Sequence, residues 1–435
     1  MPDHFYYILI SILIFSVFFS WLKSGNIINP LTLFVLWWGT FIFVSSLNLI
    51  GMNIPSMHTY YLIFLSMSMY AAGSITFLPY QNRMRKDITA QKSKYTLPLK
   101  LKIFLILQFA LTVFLISYSG KALSMLRTMD PGTFRALVFT DEGIFGANKK
   151  YFTFIISPSL YISCFIITSG VFIKKIPKYF LVLSFINLML YSSITAGRAP
   201  IFIATITLLL GFLYNLNFKK IDLKLRYILM IAVPLIFVVW MSVFRKSFTA
   251  GSKSIYDIFL EYFIWYFTGP FTAFDYFLHN MKGGINYDHS VIRGVFAGLE
   301  DLFDPLLEKL FPGFTQINES FHSFTRTFRS LGGAASRHNS HYTMLYTFVR
   351  DAGTYGVVIF SYLFGAVVAS VYRCYIKRQT LTNFSVLLIL TYLSIIGTMR
   401  WELRYIWSWA SILGILFLTK KVVVEKNGTS PGIRN

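Results

Sequence analysis

The chain has 435 residues, of which 55% are hydrophobic, 18% are aromatic and only 13% are charged. So few charges and so many long apolar runs exclude an ordinary soluble enzyme. The formal net charge is +22, but much of it lies in short loops between apolar runs, which disfavours nucleic-acid binding. The two cysteines, Cys164 and Cys374, fall within or at the end of predicted spans, so neither a disulfide framework nor a thiolate metal site is expected.

Apolar runs that are long enough to cross a bilayer recur along nearly the whole chain. About 20 apolar residues span the hydrocarbon core, and the alternation typical of a membrane barrel is absent, so the runs are predicted to be helices. The first run, Phe5–Leu22, is longer than a signal-peptide core and lacks a small-residue cleavage pattern, so it is interpreted as a span. Eleven spans are predicted, at 5–22, 31–50, 59–79, 100–119, 152–173, 179–196, 199–217, 225–244, 354–373, 381–398 and 403–419.

Basic residues predict the orientation of these spans. The loop 80–99 carries five lysines and arginines against a single acid, Asp87, and is therefore predicted to be cytoplasmic. Alternation then places the N-terminus outside, and further basic loops fall on the cytoplasmic side, at Lys174–Lys178, Lys219–Arg226, Arg373–Arg378 and Lys420–Lys421. The outer face receives the loop 120–151, the tight turn 196–200, the long segment 245–353 and the turn 397–404.

The long outer segment divides the chain. We expect eight spans in 1–244, an extracytoplasmic loop with amphipathic helices in 245–353, three spans in 354–419 and a cytoplasmic tail in 420–435. Within the loop, either 255–278 or 291–311 is apolar enough to enter the membrane, but a single extra crossing would put the later basic loops outside. Both stretches therefore cross or neither does. The acids and Pro270 in the first stretch favour interfacial or re-entrant helices.

Arginine, rather than lysine, dominates the predicted outer face. The outer arginines are Arg127, Arg135, Arg198, Arg245, Arg293, Arg326, Arg329, Arg337, Arg350, Arg400 and Arg404. Guanidinium groups bind phosphate oxygens bidentately and stay charged at any relevant pH. Such a cluster at a membrane surface suits a diphosphate that is presented by a lipid carrier.

Arg198 is the leading candidate among these arginines, because the turn Thr195–Ile201 joins two apolar runs directly and places Arg198 at a helix start. A charge at this depth is costly without a partner. It either binds a ligand, snorkels to anionic headgroups or pairs with an internal carboxylate. Arg400 and Arg404 flank Glu402, so an internal salt bridge competes with ligand binding there.

A second dense stretch brings acid–base groups next to anion binders, in Ser336–Tyr342 and then Arg350–Gly356. Histidine titrates near neutral pH, so His338 or His341 can accept a proton from an attacking hydroxyl. Alternatively, these histidines cap a helix or line the interface. Asp351 is a third candidate base, or it orients Arg350 and caps the helix that follows.

Several chemistries lack their motifs in this chain. It has no Walker loop, no dinucleotide fingerprint followed by an acid, and no His-Glu-x-x-His zinc helix. The acids of 300–308 share one helical face, but their alternation with leucine and phenylalanine favours a solvated amphipathic face over a cation site. We therefore expect chemistry without a metal or a cofactor.

Three local features of the chain are the Gly197–Arg198 turn between adjacent spans, the His338–Asn339 pair, and Asp351-x-Gly353-x-x-Gly356 at the next span. They resemble features of the Wzy-type O-antigen (oligosaccharide repeat unit) polymerases and, more distantly, of the O-antigen ligases. The overall layout, with many spans and one long loop late in the sequence, is also similar. The resemblance implies an all-α polytopic, GT-C-like glycosyltransferase of the bacterial inner membrane, with its active site facing the periplasm.

The resemblance also implies the reaction and the partners. The donor is a growing glycan on undecaprenyl diphosphate, the acceptor is one repeat unit on the same carrier, and transfer is metal-independent and inverting. A chain-length regulator and a flippase are the implied protein partners. An O-antigen ligase is the nearest alternative, whereas a lipid-linked oligosaccharide flippase or transporter is disfavoured because the ionisable residues concentrate at one face.

By position, Arg198 matches the arginine that these families place after an early span, and His338 matches their candidate base. Further candidate diphosphate binders are Arg245, Arg326, Arg329, Arg337, Arg350 and Arg404. A second histidine, His341, lies one helical turn beyond His338 and departs from the family pattern. The base therefore stays open between the two histidines, with Asp351 as the third candidate.

Overall fold

The computed structural model describes residues 3–49, 51–80, 97–129, 133–134, 137–138, 143–216, 255–282, 290–326, 330–332 and 341–420. Secondary structure within these ranges is helical throughout, without a β-strand. The helices are α1 (Asp3–Ser24), α2 (Pro30–Ser46), α3 (Met57–Phe77), α4 (Leu99–Thr128), α5 (Lys149–Phe172), α6 (Tyr179–Thr195), α7 (Ala199–Leu216), α8 (Ile255–Lys282), α9 (Ala297–Leu310), α10 (Ile317–Arg326), α11 (Met344–Lys377), α12 (Leu381–Ile396) and α13 (Ile406–Thr419).

The helix lengths and compositions make the chain a helical membrane protein. Among the described residues, α1, α3, α4, α5, α7 and α11 are long and apolar enough to cross a bilayer, and α2, α6, α12 and α13 are shorter apolar helices. Every predicted span overlaps one of these ten helices except the one at 225–244, which lies outside the described residues. The prediction of membrane helices is thus confirmed, whereas the total of eleven crossings stays a prediction.

The helix ends form two groups of contacts. At one end, which we call the lysine end, Lys23 donates hydrogen bonds to the carbonyls of Ile75 and Thr76, and the Lys100 ammonium lies 4.3 Å from the Phe417 ring centroid. At the opposite end, which we call the arginine end, the turns 47–56 and 397–405 meet helices α8 to α10 and the start of α11. The segments that sequence alternation assigns to one side of the membrane thus lie together in space.

Helices α3 and α11 cross at unusually close range. A Cβ atom built at Gly73 would overlap the carbonyl oxygen of Tyr362, and one built at Gly365 would overlap the carbonyl oxygen of Tyr70. Near the crossing, the Ser74 hydroxyl donates a hydrogen bond of 3.2 Å to the Gly365 carbonyl. Small residues of this kind let two membrane helices approach closely enough for backbone contact, which is a main source of their association in lipid.

Buried hydroxyl groups link the other membrane helices. The Tyr70 and Ser394 hydroxyls are 3.0 Å apart, those of Tyr214 and Thr391 are 2.9 Å apart, and the Trp38 indole donates to the Ser394 carbonyl at 3.1 Å. A polar group in a bilayer interior must find its partner within the protein. These bonds therefore fix α12 against α2, α3 and α7.

The aromatic stretch that was predicted at 255–278 forms helix α8, which packs on the arginine end of α2 and α3. The Phe267 ring stacks on Phe41 with centroids 4.3 Å apart. The Asp275 carboxylate accepts hydrogen bonds from the Ser56 backbone N–H at 2.9 Å and from the Thr59 hydroxyl at 2.6 Å. A carboxylate stabilises the N-terminus of a helix, so Asp275 anchors α8 to the start of α3. The interfacial or re-entrant placement of α8 in the membrane stays a prediction.

We expect Gly365→Leu to separate α3 from α11, because the added side chain overlaps the α3 backbone, and overpacking of this kind typically costs about 1–3 kcal/mol. The melting temperature of the detergent-purified protein should fall. Gly120→Leu is the matched control, since nothing lies within 4 Å of a Cβ built at Gly120. Equal melting temperatures for the two variants would contradict a close crossing.

Candidate functional site

Arg198 lies in a turn whose backbone is fixed by its own hydrogen bonds. Helix α6 ends at Thr195, and the next residue, Ala196, adopts the left-handed conformation with φ of 46°. The Gly197 N–H donates a hydrogen bond of 3.0 Å to the Ser192 carbonyl, in the pattern that commonly ends a helix. Helix α7 begins at Ala199. Because little freedom is left between the two helices, the Arg198 backbone is held in place.

The Arg198 side chain meets a tyrosine on α8. Its guanidinium donates a hydrogen bond to the Tyr266 hydroxyl, and its central carbon lies 4.4 Å from the centroid of the same ring. A guanidinium over an aromatic face is stabilised by the negative potential of the ring. A positive charge at the arginine end thus lies against an aromatic side chain.

The same tyrosine also contacts His341. The two ring centroids are 5.5 Å apart, and Trp265 packs edge-on against Tyr266 at 5.7 Å. His341 precedes helix α11 and is partly exposed. Tyr266 thus brings together two candidates that sequence analysis could not place near each other. The aromatic character of 255–278 was the available signal for a residue like Tyr266, but nothing in the sequence singled it out.

Arg350 and Arg404 share a different aromatic ring. Their guanidinium carbons lie 4.1 Å and 5.4 Å from the centroid of Phe321 on α10. Arg350 also donates to the Ser320 hydroxyl at 2.8 Å and to the Tyr346 hydroxyl at 3.2 Å. The two arginines therefore fasten α10 to the start of α11 and to the turn 397–405.

The turn 397–405 contains a buried ion pair, as the salt-bridge alternative predicted. The Arg400 guanidinium donates to the Glu402 carboxylate at 2.7 Å, and Glu402 is buried. Burial raises the pKa of the neighbouring Tyr405, but the positive charges of Arg400 and Arg404 outweigh burial and leave that pKa below its usual value. Arg404 is itself buried and donates to the Tyr405 hydroxyl at 3.0 Å, so its guanidinium serves an internal network.

Asp351 holds the turn 290–295 through its carboxylate. One oxygen accepts hydrogen bonds from the Ser290 hydroxyl and from the Gly294 N–H at 2.9 Å, and the other accepts from the Val295 N–H at 2.7 Å. The side chain is fully buried. Because both oxygens already have donors, the contacts favour a positioning role, and a role for Asp351 as base stays a prediction.

The turn that Asp351 holds is strained. Val291 has a φ of 46°, which is rare for a β-branched residue and is kept only where surrounding contacts impose it. The hydrogen bonds that Asp351 accepts from Ser290, before Val291, and from Gly294 and Val295, after it, supply these contacts.

The two glycines after Asp351 allow helix α11 to break and restart. Gly353 has φ of 60° and ψ of −144°, a region that is essentially restricted to glycine. A Cβ atom at Gly356 would overlap the Phe348 carbonyl oxygen. The Asp351-x-Gly353-x-x-Gly356 stretch is therefore a structural unit, in which the acid anchors a neighbouring turn and the glycines shape the helix.

The remaining candidates are not placed by the structure. His338, Arg245, Arg329 and Arg337 lie outside the described residues, and Arg326 is the last residue of α10. Of the sequence-predicted set, the structure thus brings Arg198 to His341 through Tyr266, and Arg350 to Arg404 through Phe321.

Comparison of this chain with protein-family models, with curated proteins and with solved structures finds no match.

We expect Asp351→Ala to release the turn 290–295. The change leaves a hydroxyl and two buried N–H groups without their acceptor, and each such loss typically costs about 1–3 kcal/mol. Trypsin should then cut after Arg293 under conditions in which the parent protein is intact. Glu308→Ala, which removes an exposed carboxylate, is the control. If Asp351→Ala resists trypsin as the control does, the carboxylate does not hold the turn.

Proposed function

We propose that the chain is an O-antigen polymerase, which joins oligosaccharide repeat units carried on undecaprenyl diphosphate at the periplasmic face of the bacterial inner membrane. The observation that carries the proposal is the contact of Arg198 and His341 with one tyrosine ring at the arginine end. An anion binder and a candidate base thus share one location, next to helices that can cross a membrane.

The proposed reaction transfers a glycan between two lipid carriers. A hydroxyl oxygen of the acceptor repeat unit attacks the anomeric carbon of the donor glycan from the side opposite its diphosphate. The new glycosidic bond forms as the bond between the anomeric carbon and the diphosphate oxygen breaks, which inverts the configuration. Undecaprenyl diphosphate leaves with the bonding electron pair, and the hydroxyl proton passes to the base.

The reaction requires a group that stabilises negative charge on the leaving diphosphate and a base that accepts the hydroxyl proton. Arginine and histidine side chains are suited to these two roles. Negative charge builds on the leaving diphosphate, and a bidentate guanidinium stabilises it without a metal ion. In our proposal Arg198 fills this role. The attacking hydroxyl must lose a proton, and a histidine is suited to accept it near neutral pH. The contact of His341 with Tyr266 makes His341 our first choice, with His338 as the alternative.

The decisive experiment uses the purified full chain in liposomes with a defined undecaprenyl-diphosphate oligosaccharide and a chelator. Lengthening of the glycan under these conditions supports a metal-independent polymerase. Movement of the lipid-linked oligosaccharide across the bilayer without lengthening would instead establish a flippase. In cells, deletion of the gene separates polymerase from ligase, because loss of a polymerase leaves one repeat unit on the surface lipopolysaccharide, whereas loss of a ligase leaves none.

We expect Arg198→Lys to abolish most long polymer, although the charge is conserved, because an ammonium cannot replace a bidentate guanidinium. Polysaccharide length on gels, at matched protein levels, gives the readout. Arg127→Lys is the control, since Arg127 lies exposed in the last turn of α4. Polymer of parental length in Arg198→Lys would count against diphosphate binding by this residue.

His338→Ala and His341→Ala should differ in severity, because a single base accepts the proton. We expect His341→Ala to lose most polymer and His338→Ala to lose little. The measurement is the rate of glycan lengthening by the purified variants. The reverse order would assign the base to His338, and two mild losses would move it to Asp351.

A further inference from the structure

Helix α9 turns part of its acidic side toward the protein. The Arg293 guanidinium donates to both oxygens of Glu300, at 2.6 Å and 3.1 Å. The Asn318 amide donates to Asp301 at 2.6 Å and to the Arg404 carbonyl at 2.9 Å. Burial raises the pKa of Asp301 to about 6, against the opposing effect of the Asn318 hydrogen bond. The solvated acidic face that the sequence predicted is therefore covered in its first turns by the preceding turn and by α10.

The opposite side of α9 is apolar and exposed. Phe303, Leu306, Leu310 and Phe311 are between 46% and 60% exposed. Their spacing of three and four residues places Phe303, Leu306 and Leu310 in one stripe along the helix. We call these four residues the α9 stripe. An amphipathic helix whose first acidic residues bond to the protein and whose apolar side is open is suited to an apolar surrounding.

Helix α9 packs beside helix α13. A Cβ atom at Gly298 would lie 2.6 Å from the Tyr405 carbonyl carbon, so α9 rests on the backbone just before α13. The Phe296 ring lies 5.6 Å from Trp409. Further along the same side of α13, Leu413 and Leu416 are exposed, as expected for residues that face hydrocarbon.

The environment of Trp409 indicates the depth of this contact in the membrane. Its indole N–H donates to the Leu403 carbonyl at 2.8 Å, while its ring borders the apolar part of α13. Tryptophan with one polar and one apolar side is typical of the zone between hydrocarbon and water. Since α9 packs at the same level, its exposed stripe lies near the exposed apolar side of α13.

We infer that α9 is an in-plane membrane helix, whose stripe of Phe303, Leu306, Leu310 and Phe311 is immersed in the acyl-chain boundary of the leaflet at the arginine end. The occupant of the apolar surface is lipid hydrocarbon. This helix also contacts the turns 290–295 and 402–405, so it fixes the arginine end at the depth of the lipid headgroups. The inference does not depend on the proposed enzymatic function.

Spin labels on single cysteines test this placement in liposomes of phosphatidylethanolamine and phosphatidylglycerol. The full-length background carries Cys374→Ser, because Cys374 is exposed, and keeps Cys164, which is buried. Labels are placed by Leu306→Cys on the stripe and by Glu308→Cys on the polar side of the same helix. Leu416→Cys on α13 gives the reference for a lipid-facing position. Collisions with apolar oxygen and with a water-soluble nickel chelate report on lipid and on water, respectively.

The label at position 306 should collide several-fold more with oxygen than with the nickel chelate, as at 416, whereas the label at 308 should show the opposite preference. Equal access of the nickel chelate to 306 and 308 would overturn the inference, because the stripe would then face water. Protection of 306 from both reagents would also overturn it, since a protein surface would then cover the stripe. Leu310→Cys repeats the test if Leu306→Cys alters the melting temperature.

Discussion

The carboxylate of Asp351 is the interaction on which the arginine end depends. It joins three segments that are far apart in the sequence, namely the strained turn 290–295, the helix α11 in which it lies and, through the turn, the amphipathic helix α9. A buried carboxylate is tolerated in a protein interior when donors satisfy both of its oxygens. Here two of the donors are backbone N–H groups, so the position of the turn, and not merely the presence of a partner side chain, satisfies the charge.

Aromatic rings organise most of the arginines that can be placed. Arg198 lies on Tyr266, Arg350 and Arg404 lie around Phe321, and Arg400 pairs with Glu402. These environments differ in the chemistry of the partner that contacts the guanidinium. Arg400 pairs with a buried carboxylate, whereas Arg198 and Arg350 each lie over an aromatic ring. The sequence predicts that all four lie on one side of the membrane and offers Glu402 as a partner for Arg400 and Arg404. It does not reveal the ring contacts of Arg198 and Arg350, because Tyr266 and Phe321 belong to other helices.

The membrane helices were predictable because a bilayer requires long apolar segments, which can be recognised from consecutive residues alone. The bounds of α3, α6 and α7 accordingly lie within a few residues of the predicted spans. The role of Asp351 was not predictable, since its donors at 290–295 precede it by more than fifty residues. The orientation of α9 also escaped prediction. Its periodic sequence defines an apolar side and an acidic side, but only the contacts of Glu300 and Asp301 reveal which side turns inward.

The contact of Arg198 with Tyr266 has a consequence for which anions Arg198 would bind. A guanidinium that is fully hydrated exchanges water for any anion that arrives, and it discriminates little among them. The Arg198 guanidinium instead gives up a ring contact and a phenolic hydrogen bond if it is to turn toward a ligand. A monovalent anion that offers one oxygen is a poor substitute for these contacts, whereas a diphosphate that offers several is a good one. In the proposed reaction Tyr266 therefore competes with the ligand for Arg198, and we expect it to favour a diphosphate over small anions.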